Sequence, residues 1–324
     1  MAEPALGIHV SKDTLDVNII VRGKPRGRRF ANASEGWRAL IVWLGQHQLE
    51  RVHACLEATG RYSLGVALAL HEAGHIVSLV NPAQIKDLSR TKLGRNKTDK
   101  VDAALIRDFA ALFVPPAWSP PSPALRRLCE LRTMRAGFLA SRIEWQNRAG
   151  SGVADRTASE LARTTVAHFE VQIAAVDKAI AETIDGDDDL RTKRDLLLSI
   201  DGVGETLAAV ILTELPAPEV LSRSIQAVAY AGLNPRQHQS GSSINHPTRI
   251  SKIGNATLRT ALFMPALSAM RCNTVIAAVV ARLRTQGRLK GKQIVVAAMR
   301  KLLVLCFGVL KTGKPFDPAI AMPR

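Results

Sequence analysis

Ala5-Leu6-Gly7-Ile8-His9-Val10, then Ser11-Lys12-Asp13, then Thr14-Leu15-Asp16-Val17-Asn18-Ile19-Ile20-Val21: the pairing of these two apolar runs sets the architecture. Both are β-rich and too short for helices, and the polar tripeptide between them is turn chemistry, so they read as antiparallel neighbours. A third extended piece follows the basic turn Arg22-Gly23-Lys24-Pro25-Arg26-Gly27 and completes a meander. Working outward, residues 34–46 read as a helix, 52–56 as a buried strand, 62–73 as a helix, 76–80 as a strand and 99–112 as a helix.

Three antiparallel strands followed by alternating helices and strands is the order of a ribonuclease-H-like (RuvC-like) α/β fold. The expected domain spans 1–122, because Val114-Pro115-Pro116-Ala117-Trp118-Ser119-Pro120-Pro121-Ser122-Pro123 lacks the amide donors of regular structure and reads as a linker. A helical segment, 123–188, comes next. In it Val166, Phe169, Ile173, Val176, Ile180 and Ile184 recur at three- and four-residue steps, a coiled-coil seam that suits either dimerisation or a hairpin packed on its own chain. Gly186-Asp187-Asp188-Asp189 ends it, and a mainly α-helical domain, 189–324, begins. There Ile200-Asp201-Gly202-Val203-Gly204 has the shape of a helix-hairpin-helix turn, whose backbone amides favour phosphate.

A formal net charge of +16 over 324 residues attracts a polyanion, and nucleic acid is the expected partner. Aromatic residues make up only 4%, so phosphate contact outweighs base stacking. The cations expected to carry that contact are Lys92, Arg95, Lys97 and Lys100, then Arg126 and Arg127, then Arg236, Arg249, Lys252, Lys290 and Lys292. Cys55, Cys129, Cys272 and Cys306 are scattered, which suggests neither a disulfide framework nor a zinc module and fits a reducing cytoplasm. The apolar run 302–310 is bounded by Lys301 and Lys311, too short for a bilayer, so no membrane segment is expected.

Candidate chemistry sits in three places. Glu57 closes an apolar strand, and Asp99 and Asp102 lie three apart at a helix start, on one face. Such carboxylates suit a hard divalent cation, although acids after Thr98 also serve as simple helix capping. Lys86, Arg90, Lys92, Arg95, Lys97 and Lys100 crowd the loop around the two aspartates, which suits a phosphodiester substrate, although a charge run is usually a solvated face. Ser240-Gly241-Ser242-Ser243 offers a hydroxyl nucleophile on a polar turn, or is only a flexible loop. Asp13 and Asp16 are expected to point elsewhere along the strand register and are not read as ligands.

Taken in order, Gly7-Ile8-His9-Val10-Ser11-Lys12-Asp13-Thr14-Leu15-Asp16-Val17, Glu57-Ala58-Thr59-Gly60, Arg95-Asn96-Lys97-Thr98-Asp99-Lys100-Val101-Asp102-Ala103, Ile200-Asp201-Gly202-Val203-Gly204, Ala231-Gly232-Leu233-Asn234-Pro235, Ser240-Gly241-Ser242-Ser243 and Gly313-Lys314-Pro315-Phe316-Asp317 resemble one family over almost the whole chain. It is the Piv/MooV-like group of insertion-sequence transposases. The resemblance implies a prokaryotic, nucleoid-associated DNA recombinase. It pairs target and donor DNA through a structured bridge RNA and works as a homodimer or homotetramer. It further implies that Ser240 attacks the scissile phosphate and that Glu57, Asp99 and Asp102 hold Mg²⁺, with Mn²⁺ the alternative ion. At the position of the family's first aspartate this chain carries His9. An imidazole is a poor Mg²⁺ ligand, so the departure implies weakened cleavage. A Holliday-junction-type nuclease that leaves Ser240 idle, and a non-catalytic RNA/DNA-binding protein, are the competing uses of the same residues.

Overall fold

A computed structural model describes residues 3–58, 60–91, 98–152, 155–218, 220–240 and 244–321, and the chain divides into two compact units, Met1–Pro121 and Ser122–Arg324. In the first, the meander forms as the apolar runs require: β1 (Ala5–Val10) pairs antiparallel with β2 (Thr14–Val21), and β2 with β3 (Lys24–Ala31). After α1 (Ser34–Gln46), β4 (His53–Glu57) lies parallel to β1, and after α2 (Arg61–Glu72), β5 (Ile76–Val80) lies parallel to β4. The result is a five-stranded sheet in the order β3-β2-β1-β4-β5. The third strand starts earlier than the basic run suggested. Val21 pairs with Lys24 across the two-residue turn Arg22-Gly23, so Lys24 to Gly27 are strand, not turn. As an edge strand β3 tolerates Pro25, which has no amide to donate.

Alternation gives the sheet two different faces. Leu6, Ile8, Leu15, Val17, Ile19 and Leu56 pack with Leu40 and Leu44 of α1 and Val66 and Leu70 of α2. On the opposite face lies α4 (Asp99–Phe113), preceded by α3 (Pro82–Thr91), a helix absent from the sequence-based expectation. The Thr98 hydroxyl accepts from Val101 N at 3.4 Å and starts α4. The helix then crosses β1 at Gly7. A Cβ placed there would lie 2.1 Å from the Ala103 carbonyl oxygen and 2.3 Å from the Arg107 amide nitrogen, so backbone meets backbone and only glycine fits. Arg107 also donates to the Asn18 side chain on β2.

The proline-rich segment after α4 is irregular, as expected, and is anchored to β5. Trp118 N donates to Val77 O at 2.7 Å, and the Ser78 hydroxyl contacts the Pro115 and Pro116 carbonyls at 3.0 and 2.8 Å.

The second unit is mostly helical. α5 (Pro123–Gly150) and α6 (Arg156–Asp185) pack side by side: Leu128 meets Val176, Ile180 and Ile184, joined by Leu190 of α7 (Asp188–Leu198) and Ala209 of α8 (Glu205–Glu214). Val176, Ile180 and Ile184 of the seam are covered by residues of the same chain. Between α7 and α8 the turn residue Gly202 packs against Ala269. Then follow α9 (Ser224–Tyr230), the hairpin β6 (Pro235–Ser240) and β7 (Ile244–Ile250), α10 (Ala256–Ala261), α11 (Phe263–Cys272), α12 (Thr274–Thr285), α13 (Gly291–Thr312) and α14 (Pro318–Ala321). By length and composition α13 could cross a bilayer, but Ile294, Leu302, Leu303, Cys306 and Phe307 are buried among α8, α9 and α11 residues, which makes it the spine of the helical core.

Gly7→Ala tests the close approach. The added methyl meets backbone that cannot rotate away, so unfolding stability in urea is expected to fall by about 3 kcal/mol, the upper part of the usual range for overpacking. Stability equal to the unsubstituted chain would show that α4 can shift freely.

Candidate functional site

Three element ends meet under the start of α4. His9 lies near the end of β1, on the same face as Gly7. The parallel register pairs Ile8 with Leu56, so the next step brings Glu57, the last residue of β4, alongside His9. Asp99 and Asp102 occupy the first turn of α4. His9 Nε2 is 3.7 Å from Asp99 Oδ1, while His9 Nδ1 is buried without a hydrogen-bond partner.

Asp16 corrects the sequence-based expectation. It sits directly opposite His9 across the β1–β2 ladder, so it faces α4 and not away from it, and its side chain is only 3% exposed. A buried carboxylate needs a partner. That partner is Arg29, paired with Asp16 in the β2–β3 ladder: its Nε donates to both Asp16 oxygens at 3.1 and 3.0 Å. The same guanidinium reaches Asp99 Oδ2 at 3.1 Å through Nη2. Its pKa is pushed up first by the hydrogen bonds to Asp16, then by that carboxylate's charge, with Asp99 adding to both. Strand register alone, once the turn was counted correctly, could have revealed Asp16. Arg29 fell within the third extended piece, but no motif marked it as the partner of an acid.

The donor chemistry at this face suits a hard divalent ion, but the arrangement does not close around one. Among the described residues no three His, Cys, Asp or Glu side chains stand close enough together to hold a metal. Arg29 supplies the positive charge that Asp99 and Asp16 face. Cys55, on the same face of β4, is no substitute ligand near neutral pH. Burial, assisted by the charge of Glu57, pushes its thiol up to about 12.

The remaining sequence-based candidates lie elsewhere. Ser240 ends β6 in the second unit, opposite Ile244 of β7, and Gly241 to Ser243 fall outside the described residues. Lys92, Arg95 and Lys97 also fall outside them. Lys100 is exposed in the first turn of α4 beside the acids. In the second unit Arg127, Arg236, Arg249, Lys252, Lys290 and Lys292 are exposed and Arg126 is half-buried.

An α/β unit with acids at its strand and helix ends, followed by a helical unit in a strongly basic chain, is the constitution of a DNA-processing enzyme, and the relatives agree. Residues 6–154 match a DEDD-type transposase domain of the IS110 group, and residues 194–281 match the family described as Transposase IS116/IS110/IS902. The pilin gene-inverting protein of Moraxella bovis is 30% identical over 323 residues, covering 99% of each chain, and that of Moraxella lacunata is equally similar. An insertion element IS110 protein of Streptomyces coelicolor is 29% identical over 122 residues, 38% of this chain and 30% of its own. The chain belongs to the IS110/IS116/IS902 family of transposases and recombinases. The DEDD-type domain points to a divalent metal.

Arg29→Gln strips Asp16 of its cation and is expected to lower the thermal midpoint, while Asp16→Asn/Arg29→Gln, which leaves no unpaired charge, loses less. Added Mg²⁺ should raise the midpoint of Arg29→Gln more than that of the unsubstituted chain. Equal Mg²⁺ shifts would show that Arg29 does not compete with an ion.

Proposed function

We propose that the protein is an RNA-guided DNA recombinase whose nucleophile is Ser240 and whose acids Glu57, Asp99 and Asp102 form a divalent-metal site weakened by His9. The N-terminal unit is read as ribonuclease-H-like, and α7 with α8 as a helix-hairpin-helix that meets backbone phosphate on the side of Gly204. The observation that carries the proposal is the convergence of the β1, β4 and α4 ends in a chain similar over its full length to proteins named for gene inversion. Inversion or transposition of a DNA segment is the outcome proposed here.

In the covalent step the Ser240 oxygen bonds to the scissile phosphorus and its proton passes to a base, while the bond to one deoxyribose oxygen breaks and that oxygen leaves with a proton. A strand hydroxyl from the exchange partner then attacks the phosphoserine, restores the phosphodiester and frees Ser240. The transferred group stays a phosphodiester throughout, so no external energy source is needed. A metal ion, Mg²⁺ or Mn²⁺, would supply electrophilic assistance at the phosphate when bound. The sequence of the DNA is selected by base pairing to a structured bridge RNA, and the protein grips backbone.

One observation favours the second reading, a protein that assembles on nucleic acid without cutting it. The Arg29 guanidinium stands against Asp99 and offsets its charge, and the His9 imidazole lies 3.7 Å from the same carboxylate.

Ser240→Ala should abolish the covalent protein–DNA adduct in a suicide-substrate assay and leave binding intact. An adduct formed by Ser240→Ala would transfer the role to Ser242 or Ser243. His9→Asp should raise Mg²⁺-dependent recombination at least tenfold, and without metal it should lower the thermal midpoint by placing another carboxylate beside Asp16 and Asp99. Equal recombination by both forms would remove His9 from the site.

A further inference from the structure

On the sheet face away from the acids, the β2–β3 turn and the end of α1 form an open cleft of about 500 Å³ lined by Val21, Arg22, Lys24, Arg26, Gln46, His47 and Gln48. No carboxylate lines it. Alternation explains the cations: Lys24 pairs with Val21 and Arg26 with Ile19, so both project to the α1 side of the edge strand, opposite Arg29. Two residues apart on one strand, they stand about 6.8 Å from each other, a step comparable to that between successive phosphates of a nucleic-acid strand.

The turn carries an independent sign. Arg22 has φ 50° and Gly23 φ 77°, the left-handed pair of a tight hairpin turn, a position that glycine, asparagine or aspartate fills without strain. An arginine there is held in an unfavourable backbone state. So is Gln48, with φ 62°, and the two strained residues are joined by Arg22 Nη2 donating to Gln48 Oε1 at 3.1 Å. Here the strain aims a guanidinium and a carboxamide into a basic cleft. His47, seated edge-on against Trp43 with ring centroids 4.9 Å apart, completes the wall.

We infer that this cleft binds a phosphodiester backbone, making the edge of the sheet a second nucleic-acid contact separate from the acidic face. The inference rests on the nucleic-acid reading above and specifies where in the first unit one strand is gripped. Charge attracts the strand, Lys24 and Arg26 neutralise adjacent phosphates, and the amides of Gln46 and Gln48 donate without adding charge.

The test is the salt dependence of binding by the full chain, measured separately with duplex DNA and with a folded RNA hairpin. Arg22→Gly/Lys24→Gln/Arg26→Gln removes the cations while relieving the turn, and a circular dichroism melt checks that it folds. A control, Arg156→Gln/Arg163→Gln/Lys178→Gln, removes the same charge from exposed positions on α6. The slope of log affinity against log salt should become shallower for the cleft variant on the ligand held, by about two to three units if that is duplex DNA at roughly 0.9 per phosphate, and hardly change for the control. Loss confined to DNA or to RNA supports the inference and names the strand held. An unchanged slope for the cleft variant on both ligands, or an equal loss in the control, overturns it. A flat slope for the unsubstituted chain would overturn the nucleic-acid reading as well.

Discussion

The geometry of the acidic face depends on how closely α4 lies on β1. With no side chain at Gly7, the Ala103 carbonyl and the Arg107 amide come within contact of the strand backbone, and the helix cannot ride higher on a layer of side chains. Arg107 then ties the helix to β2 through Asn18. Since the first turn of α4 begins just upstream of this crossing, Asp99 is delivered to the level of His9. A larger residue at position 7 would lift the whole helix, and the acids would leave the sheet together.

That delivery creates an electrostatic problem which the chain solves internally. Asp16 is buried, and Asp99 is brought near it from another element. A single fork from the edge strand serves both, because arginine presents several donors in one plane while its charge persists at all ordinary pH values. A fixed cation and any diffusible one would compete for the same oxygens. Exposure decides how that competition runs: the Arg29 side chain is 52% exposed, so water can take over its hydrogen bonds when it swings out. Asp16 has no such alternative and ties the resting state to the arginine.

Much of the first unit was legible in its alternation. Leu6, Ile8, Leu15, Val17 and Ile19 could only be buried on one face, and the sheet follows. The misreading of Asp16 arose from the turn. Ser11 N bonds Thr14 O at 2.9 Å, a closure that pairs Val10 with Leu15 and therefore His9 with Asp16; another turn length would have reversed every face. The basic run from Arg22 hid the start of β3, because an arginine in a left-handed turn position has no sequence signal of its own. Nor could the heptad-like seam of α6 name its partner. Apolar spacing defines a stripe, and which surface covers it is decided by the residues of α5, α7 and α8 that the stripe happens to meet. The acids Glu57, Asp99 and Asp102 were readable as element ends, whereas Arg29, which pairs with Asp16 and Asp99, belongs to no motif.

The proline-rich segment along β5 has a consequence for the protein in the crowded cell. An open sheet ends in rows of unsatisfied amides and carbonyls that can recruit a strand from any neighbouring chain. Here the β5 side is occupied by a segment whose prolines cannot extend the ladder, pinned through Val77 and Ser78. The β3 side carries Pro25 amid like charges, so two copies brought edge to edge would repel. Neither margin invites runaway strand addition.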